Sequence, residues 1–170
     1  MFYLSDLFIV GFTYVFMMSF ENAIHKASHY KGSGGLYRWH KMHHKDYPPT
    51  RVESDVFIDS LGNYYLQNYF LRYILMIYGI VYISSSFRTF LIVFIEGTSY
   101  VIIINHLHEQ FHLKRSWLQN YKWFQKYKRN HLLHHMKQNK NYSFMTTKID
   151  KLQGSYLCDN ERFNTVISNS

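Results

Sequence analysis

The chain has 170 residues, a formal net charge of +8 and 47% hydrophobic residues, with 16 Tyr and 14 Phe. That much apolar and aromatic surface excludes an intrinsically disordered chain, and the length allows one domain. The single cysteine, Cys158, excludes an internal disulfide and any thiolate metal cage.

From Phe2 to Phe20 the sequence is apolar apart from Ser5, Asp6, Thr13 and Ser19, which predicts a helix barely long enough to cross a bilayer. The N-terminus has no basic stretch and no small-residue cleavage site, so no cleavable signal peptide is expected. The helix should continue through Glu21 and Asn22 and carry His25 and His29 just beyond the apolar zone. Gly32-Ser33-Gly34-Gly35 breaks the chain. A short helix from Tyr37 to about Lys45 then carries His40, His43 and His44, and Pro48-Pro49 ends it. A second apolar run, from about Tyr64 to Ile83, is interrupted by Gln67, Asn68 and Arg72. Ser84-Ser85-Ser86 is a polar turn. Phe87 to Ile104 forms the third run, with Glu96 in its middle, and delivers His106, His108 and His112 at its far end. Trp117 to about Met136 predicts an aromatic, basic helix ending in His131, His134 and His135. The tail past Leu157 is polar.

All eleven histidines fall in or beside four clusters. Residues three and four apart share a helix face, so His-x-x-x-His and His-x-x-His-His each aim their imidazoles together. Neutral imidazole is the commonest transition-metal ligand, and this many points to more than one ion. A structural zinc site would need four ligands and would more often recruit cysteine. One competing motif is His108-Glu109-Gln110-Phe111-His112, which fits the His-Glu-x-x-His pattern of zinc metalloproteases with Glu109 as general base. It leaves both His-x-x-His-His clusters unexplained. Outside that reading, Glu109 orients an imidazole or is solvated.

Four clusters can meet only if all emerge on one side of a membrane. Clusters one and two follow the first run, and clusters three and four follow two more crossings, so the arrangement closes. Lys26 to Arg51 holds six Lys/Arg and Lys114 to Lys151 holds ten, whereas residues 1 to 24 hold none. By the positive-inside rule the histidine face is cytoplasmic. The alternative is a soluble bundle with the runs as core helices. The basic residues flank the crossings, which favours this topology over a nucleic-acid partner.

The four clusters, in their order and spacing, resemble the histidine boxes of the fatty acid hydroxylase superfamily, which includes sterol desaturases and sphingolipid hydroxylases. The resemblance covers about residues 21 to 157. His44-Lys45-Asp46-Tyr47-Pro48-Pro49 is similar to the step after the second box. Asn141-Tyr142 with Asp150-Lys151-Leu152-Gln153-Gly154-Ser155-Tyr156 is similar to the closing segment. Gln153 stands where the family has an aromatic residue, and Ser155 where it has Thr. One apolar run precedes the first box where members commonly have two. The three-residue gap in the first box leans toward the sterol desaturase branch.

The resemblance implies an all-α integral-membrane bundle with a cytosolic histidine-rich cap holding a dinuclear iron site. It implies O2-dependent oxidation of a fatty acyl, sphingolipid or sterol C–H bond, or desaturation on the same centre. The implied ligands are His25, His29, His40, His43, His44, His108, His112, His131, His134 and His135. His106 is an additional ligand or a group hydrogen-bonded to one. Asp150 is expected to hold the closing segment or orient a histidine. Imidazole sites also favour zinc over ferrous iron, so zinc could be loaded instead. The chain has no flavin, nicotinamide or haem fingerprint, so electrons must come from a cytochrome b5-like or other reductase partner. Lys122, Lys126, Lys128 and Arg129 are the candidate docking residues for that partner or for lipid headgroups. In a eukaryotic host the membrane would be that of the endoplasmic reticulum.

Overall fold

The first apolar run and its extension form one helix, α1 (Leu4–Ser28), because nothing between Phe2 and His29 breaks an i to i−4 ladder. A single 3-10 turn at Lys31–Ser33 follows. Gly34 then takes φ 63°, a left-handed conformation that glycine adopts without strain, and re-aims the chain into α2 (Gly35–Asp46). The second and third runs form α3 (Tyr69–Ser84) and α4 (Phe87–Phe111). At their junction the Ser86 Oγ accepts a bond from the Thr89 amide at 3.2 Å and caps α4. α5 (Lys122–Met136) and the short α6 (Lys148–Leu152) complete the fold. The computed structural model describes residues 3–60 and 69–158, so Phe2, the expected start of the second run at 64–68, and the tail past Cys158 lie outside the described residues. Among the described residues there is no strand, only an isolated bridge between Ser54 and Leu113.

Two boundaries differ from expectation. α4 does not stop at Ile104 but runs to Phe111, since His106 to Gln110 contains no breaker, and it carries His108 on its last turns. α5 starts at Lys122, not Trp117. The Ser116 Oγ instead accepts a bond from the Leu118 amide at 3.1 Å, and the Gln119 and Tyr121 amides close tight turns onto Ser116 and Leu118. A serine that satisfies backbone groups locally competes with the helix ladder.

α1 and α4 lie side by side and run parallel, with α3 returning between their ends. The proof is at the two ends. Asp6, near the start of α1, takes a two-pronged bond from Arg88 at the start of α4, with contacts of 3.2 and 2.5 Å. His25 and His108, near the other ends, lie in the histidine cluster. At 1.5 Å per residue, either helix covers about 28–30 Å between ion pair and histidines, the thickness of a bilayer's hydrocarbon core. α1 and α4 are both long and apolar enough to cross a membrane, and α3 is a shorter apolar helix. Met17, Ile74, Tyr78, Tyr100 and Ile104 form the core shared by the three. Beyond the histidines, Leu107, Phe111, Leu118 and Phe124 form a second core that seats α5 on the end of α4.

Candidate metal centre

Ten of the eleven histidines converge at one end of the bundle. α1 supplies His25 and, at its C-terminal cap, His29; α4 supplies His108 and, at its cap, His112. These are i, i+4 pairs, each on one helix face. α2 and α5 cross above and supply the two His-x-x-His-His sets. The result is two groups. His43, His108, His112, His131 and His135 offer ligand atoms all within 4.8 Å of one another, as do His25, His29, His40 and His134. Each His-x-x-His-His set is therefore divided between the two. His40 and His134 turn to one group, while His43, His131 and His135 turn to the other. His44 completes neither set of mutual distances, yet its Nε2 lies 3.0 Å from that of His40 and 3.2 Å from that of His134, at the edge of the four-histidine group.

The second ring nitrogen decides what the first can do. Nδ1–H of His112 donates to the Val52 carbonyl at 2.8 Å, that of His134 to Lys140 at 2.7 Å, and that of His135 to Tyr47 at 2.9 Å. His25 donates in the same way to the Tyr142 carbonyl. A ring that donates through Nδ1 presents a lone pair at Nε2. Those lone pairs face other imidazoles: His134 toward His29 at 3.1 Å, His135 toward His43 at 3.1 Å, and His112 toward His131 at 2.9 Å. Where the facing Nε2 also carries a lone pair, the two repel unless a cation lies between them. Metal–imidazole bonds of about 2.1 Å at right angles place neighbouring nitrogens about 3.0 Å apart, the spacing seen. The buried Nε2 of His25 has no hydrogen-bond partner among the described residues. The donor set fits two transition-metal ions.

Burial enforces the neutral, ligand-ready form. Desolvation, reinforced by neighbouring imidazoles, holds His40, His43, His44, His112, His131 and His134 well below the ordinary histidine range. For the same first reason His29 is lowered to about 3 and His135 to about 4.

Asp150 holds the closing segment together through backbone amides. It is 1% exposed, and its carboxylate accepts the Tyr142 amide at 2.9 Å, the Ser143 amide at 3.0 Å and the Ser155 hydroxyl at 2.8 Å. The Glu21 carboxylate accepts the next amide, that of Phe144, at 3.3 Å. Two buried carboxylates thus fix the peptide whose carbonyl receives His25. Ser155 supplies the hydroxyl needed at its position, and Gln153 reaches the Asn22 side chain at 3.1 Å, tying the segment to α1. Asn141, at φ 52°, turns the chain into this segment and exchanges bonds with the Leu157 backbone at 2.8 and 3.1 Å. Tyr47 is fully buried and stacks on His112 at 3.8 Å between ring centres.

Two expectations, for His106 and Lys128, are corrected. His106 is exposed and lies against Trp117, outside both groups, because it sits two residues before His108 and so points to another face of α4. Glu109 belongs to neither group. The two histidines of its motif share their group with three from elsewhere, an arrangement the protease pattern does not describe. Lys128 is no docking residue: it is 5% exposed, pairs with Glu53 at 2.7 Å and donates to the Leu113 carbonyl at 2.6 Å. Lys122, Lys126 and Arg129 are exposed. The carbonyls of Tyr47, Val52 and Lys140, and the buried Glu21 and Asn22, were not foreseen. The one sequence signal for the latter two was their place one turn before His25.

Beneath the histidines lies a cavity of about 420 Å³ between α1, α3 and α4, with His25, His40 and His108 at one end and walls such as Ile24, Ile74 and Val101. Fold and site together define a membrane-type helical bundle with a buried polyhistidine cluster, a candidate metal centre, opening on an apolar cavity. The profile of the fatty acid hydroxylase family matches residues 10–155, and the chain belongs to that family. That membership implies an oxidoreductase of the lipid hydroxylase or desaturase type. Neither a curated protein nor a solved structure matches the chain.

Proposed function

We propose that this protein is an integral-membrane lipid hydroxylase that holds two iron ions and uses O2 and externally supplied electrons to oxidise a lipid C–H bond. The observation that carries this reading is the union of two converging imidazole groups with the apolar cavity they close. The ligands are the ten clustered histidines. Bound iron would supply the activation of O2 that acid–base or nucleophilic side chains cannot perform on a hydrocarbon. The chain's own residues do the rest. Carbonyls of Tyr47, Val52, Lys140 and Tyr142 hold the Nδ1 protons away from the metal positions. Asp150 and Glu21 keep the Tyr142 carbonyl in place, and the apolar walls orient a lipid chain and exclude water. Desaturation on the same centre would use the same residues.

Electrons would arrive from a cytochrome b5-like or reductase partner at the face bearing Lys122, Lys126 and Arg129. The lysine- and arginine-rich segments around the histidines support a cytoplasmic orientation of that face. Tags after Asp46 and after Asn139 should then both be labelled from the cytoplasm, and labelling from opposite sides would end the proposal. The primary test is mass spectrometry of lipids from iron-replete cells expressing the protein or its His43→Ala variant. A lipid gaining one oxygen atom, or losing two hydrogens, only with the intact protein is the expected result. Identical lipid profiles at equal protein levels would overturn the reading.

A further inference from the structure

The cavity has a floor, and the floor is built by a glycine. α4 lines the cavity from Phe94 through Thr98 and Val101 to His108. The ends of this lining are about 21 Å apart along the helix axis. A cavity of about 420 Å³ with largely apolar walls along this lining suits a hydrocarbon chain. At the end remote from the histidines stands Tyr78 of α3. It is 7% exposed, its hydroxyl lies 3.0 Å from the Thr98 Oγ1 and 3.3 Å from the Phe94 carbonyl, and its ring is 5.0 Å from that of Phe94. It reaches that place because Gly97 has no side chain: a Cβ there would stand 2.7 Å from the Tyr78 hydroxyl. The contact is with the tip of a side chain, so a methyl group at Gly97 would push the phenol aside without moving backbone.

We infer that Tyr78, seated in the notch left by Gly97, is the stop that sets the longest acyl chain the cavity accepts. This rests on the lipid-oxidation reading and adds to it the residue pair that determines specificity. A chain lying along this lining, with its reacting carbon at the histidines, ends against the Tyr78 ring. Its fit then depends on how far that ring stands from the metal centre. Tyr78→Ala removes the stop and should shift the preferred chain upward, by about two to four carbons for the length of the lost ring. Gly97→Ala drives the ring into the cavity and should shift the preference downward. Neither residue touches a histidine.

The test is a homologous series of saturated acyl chains, read in two ways with wild type, Tyr78→Ala and Gly97→Ala. One reading is product yield in iron-loaded protein. The other is the rise in thermal unfolding temperature on adding each chain to zinc-loaded protein in micelles, which reports binding without turnover. Opposite shifts of the optimum in the two variants are expected in both. An optimum that stays put in both variants overturns the stop. If wild type oxidises none of the chains while the binding optima still shift in opposite directions, the stop stands and the lipid-oxidation reading fails.

Discussion

The two ends of this bundle are built on opposite rules. At the histidine end the polar groups are inside: His112, His134 and His135 are fully buried. At the other end the apolar groups are outside: Phe8 is 73% exposed and Ile83 85%. Only 22% of the apolar window of α1, and 17% of that of α4, is buried inside the protein. In water such a surface would be a large aggregation-prone patch, so the soluble-bundle alternative fails and lipid is the solvent of this half. The apolar half gains its solvation from the bilayer. The polar half sacrifices hydration of ten imidazoles, and ligand bonds to metal are what can return that cost.

The largest expected effect breaks the polar end directly. His43→Ala removes a member of the five-histidine group, and His134→Ala a member of the four-histidine group. Each should abolish lipid oxidation and lower metal content from about two ions per chain toward one, with membrane insertion unchanged. Metal analysis with membrane fractionation reads both. A variant that retained both ions would remove that residue from the ligand set. Asp150→Asn comes next. The asparagine keeps one acceptor oxygen but turns an NH2 toward the Tyr142 or Ser143 amide, leaving a buried donor unpaired at a cost of about 1–3 kcal/mol. The loss reaches the metal through the Tyr142 carbonyl and His25, and metal affinity should fall about 10–100-fold. Unchanged affinity would show that the closing segment does not orient the ligand.

That last linkage marks the border of what the chain reveals by reading it. The ten histidines were legible because helix periodicity turns spacing into direction, and Asp150 was legible through its place in the closing segment. The carbonyls of Tyr47, Val52 and Lys140 were not, since every residue has one and only the fold chooses which meets an imidazole. Lys128 reads like its basic neighbours; only its burial beside Glu53 separates them. His106 sits within a dense run of histidines, and it is the helix face, two residues out of phase, that excludes it. Asp6 looked like an interruption of the first run because its pairing with Arg88 spans 82 positions, beyond the reach of local pattern. The start of the second apolar run, 64–68, lies outside the described residues.

Acid should separate the two ends more gradually. The cap histidines have folded-state pKa values below the unfolded value of about 6.5, with His135 near 4 and His29 near 3. Between those limits the unfolded chain binds more protons than the folded one, so stability rises with pH across the window. It is complete above about pH 6.5 and is lost progressively as the pH falls toward the folded values. Protons also compete with metal for each imidazole. Metal release and loss of thermal stability should therefore begin together below about pH 6.5. Titration of metal content alongside unfolding temperature checks the coincidence. A metal-free protein equally stable at acidic and neutral pH would contradict the burial of neutral imidazoles.

The smallest effect belongs at the opposite end. Asp6→Asn removes the charge from a pair in which the Arg88 guanidinium also lies over the Tyr3 ring, 4.7 Å from its centre. The Arg88 side chain is 50% exposed, so it can turn toward headgroups or water when its partner is lost. The pair lies about 28 Å along α1 from His25, and α1 connects the two rigidly. Weakening it frays the first turn of α1 and its start beside α4, not the last turns that present His25 and His29. The expected result is a slight loss of thermal stability or insertion efficiency, with metal content, metal affinity and their pH dependence unchanged. Metal loss in Asp6→Asn at normal insertion would mean the ends are coupled through α1 and α4, and the division between a lipid-solvated half and a metal-held half would have to be abandoned.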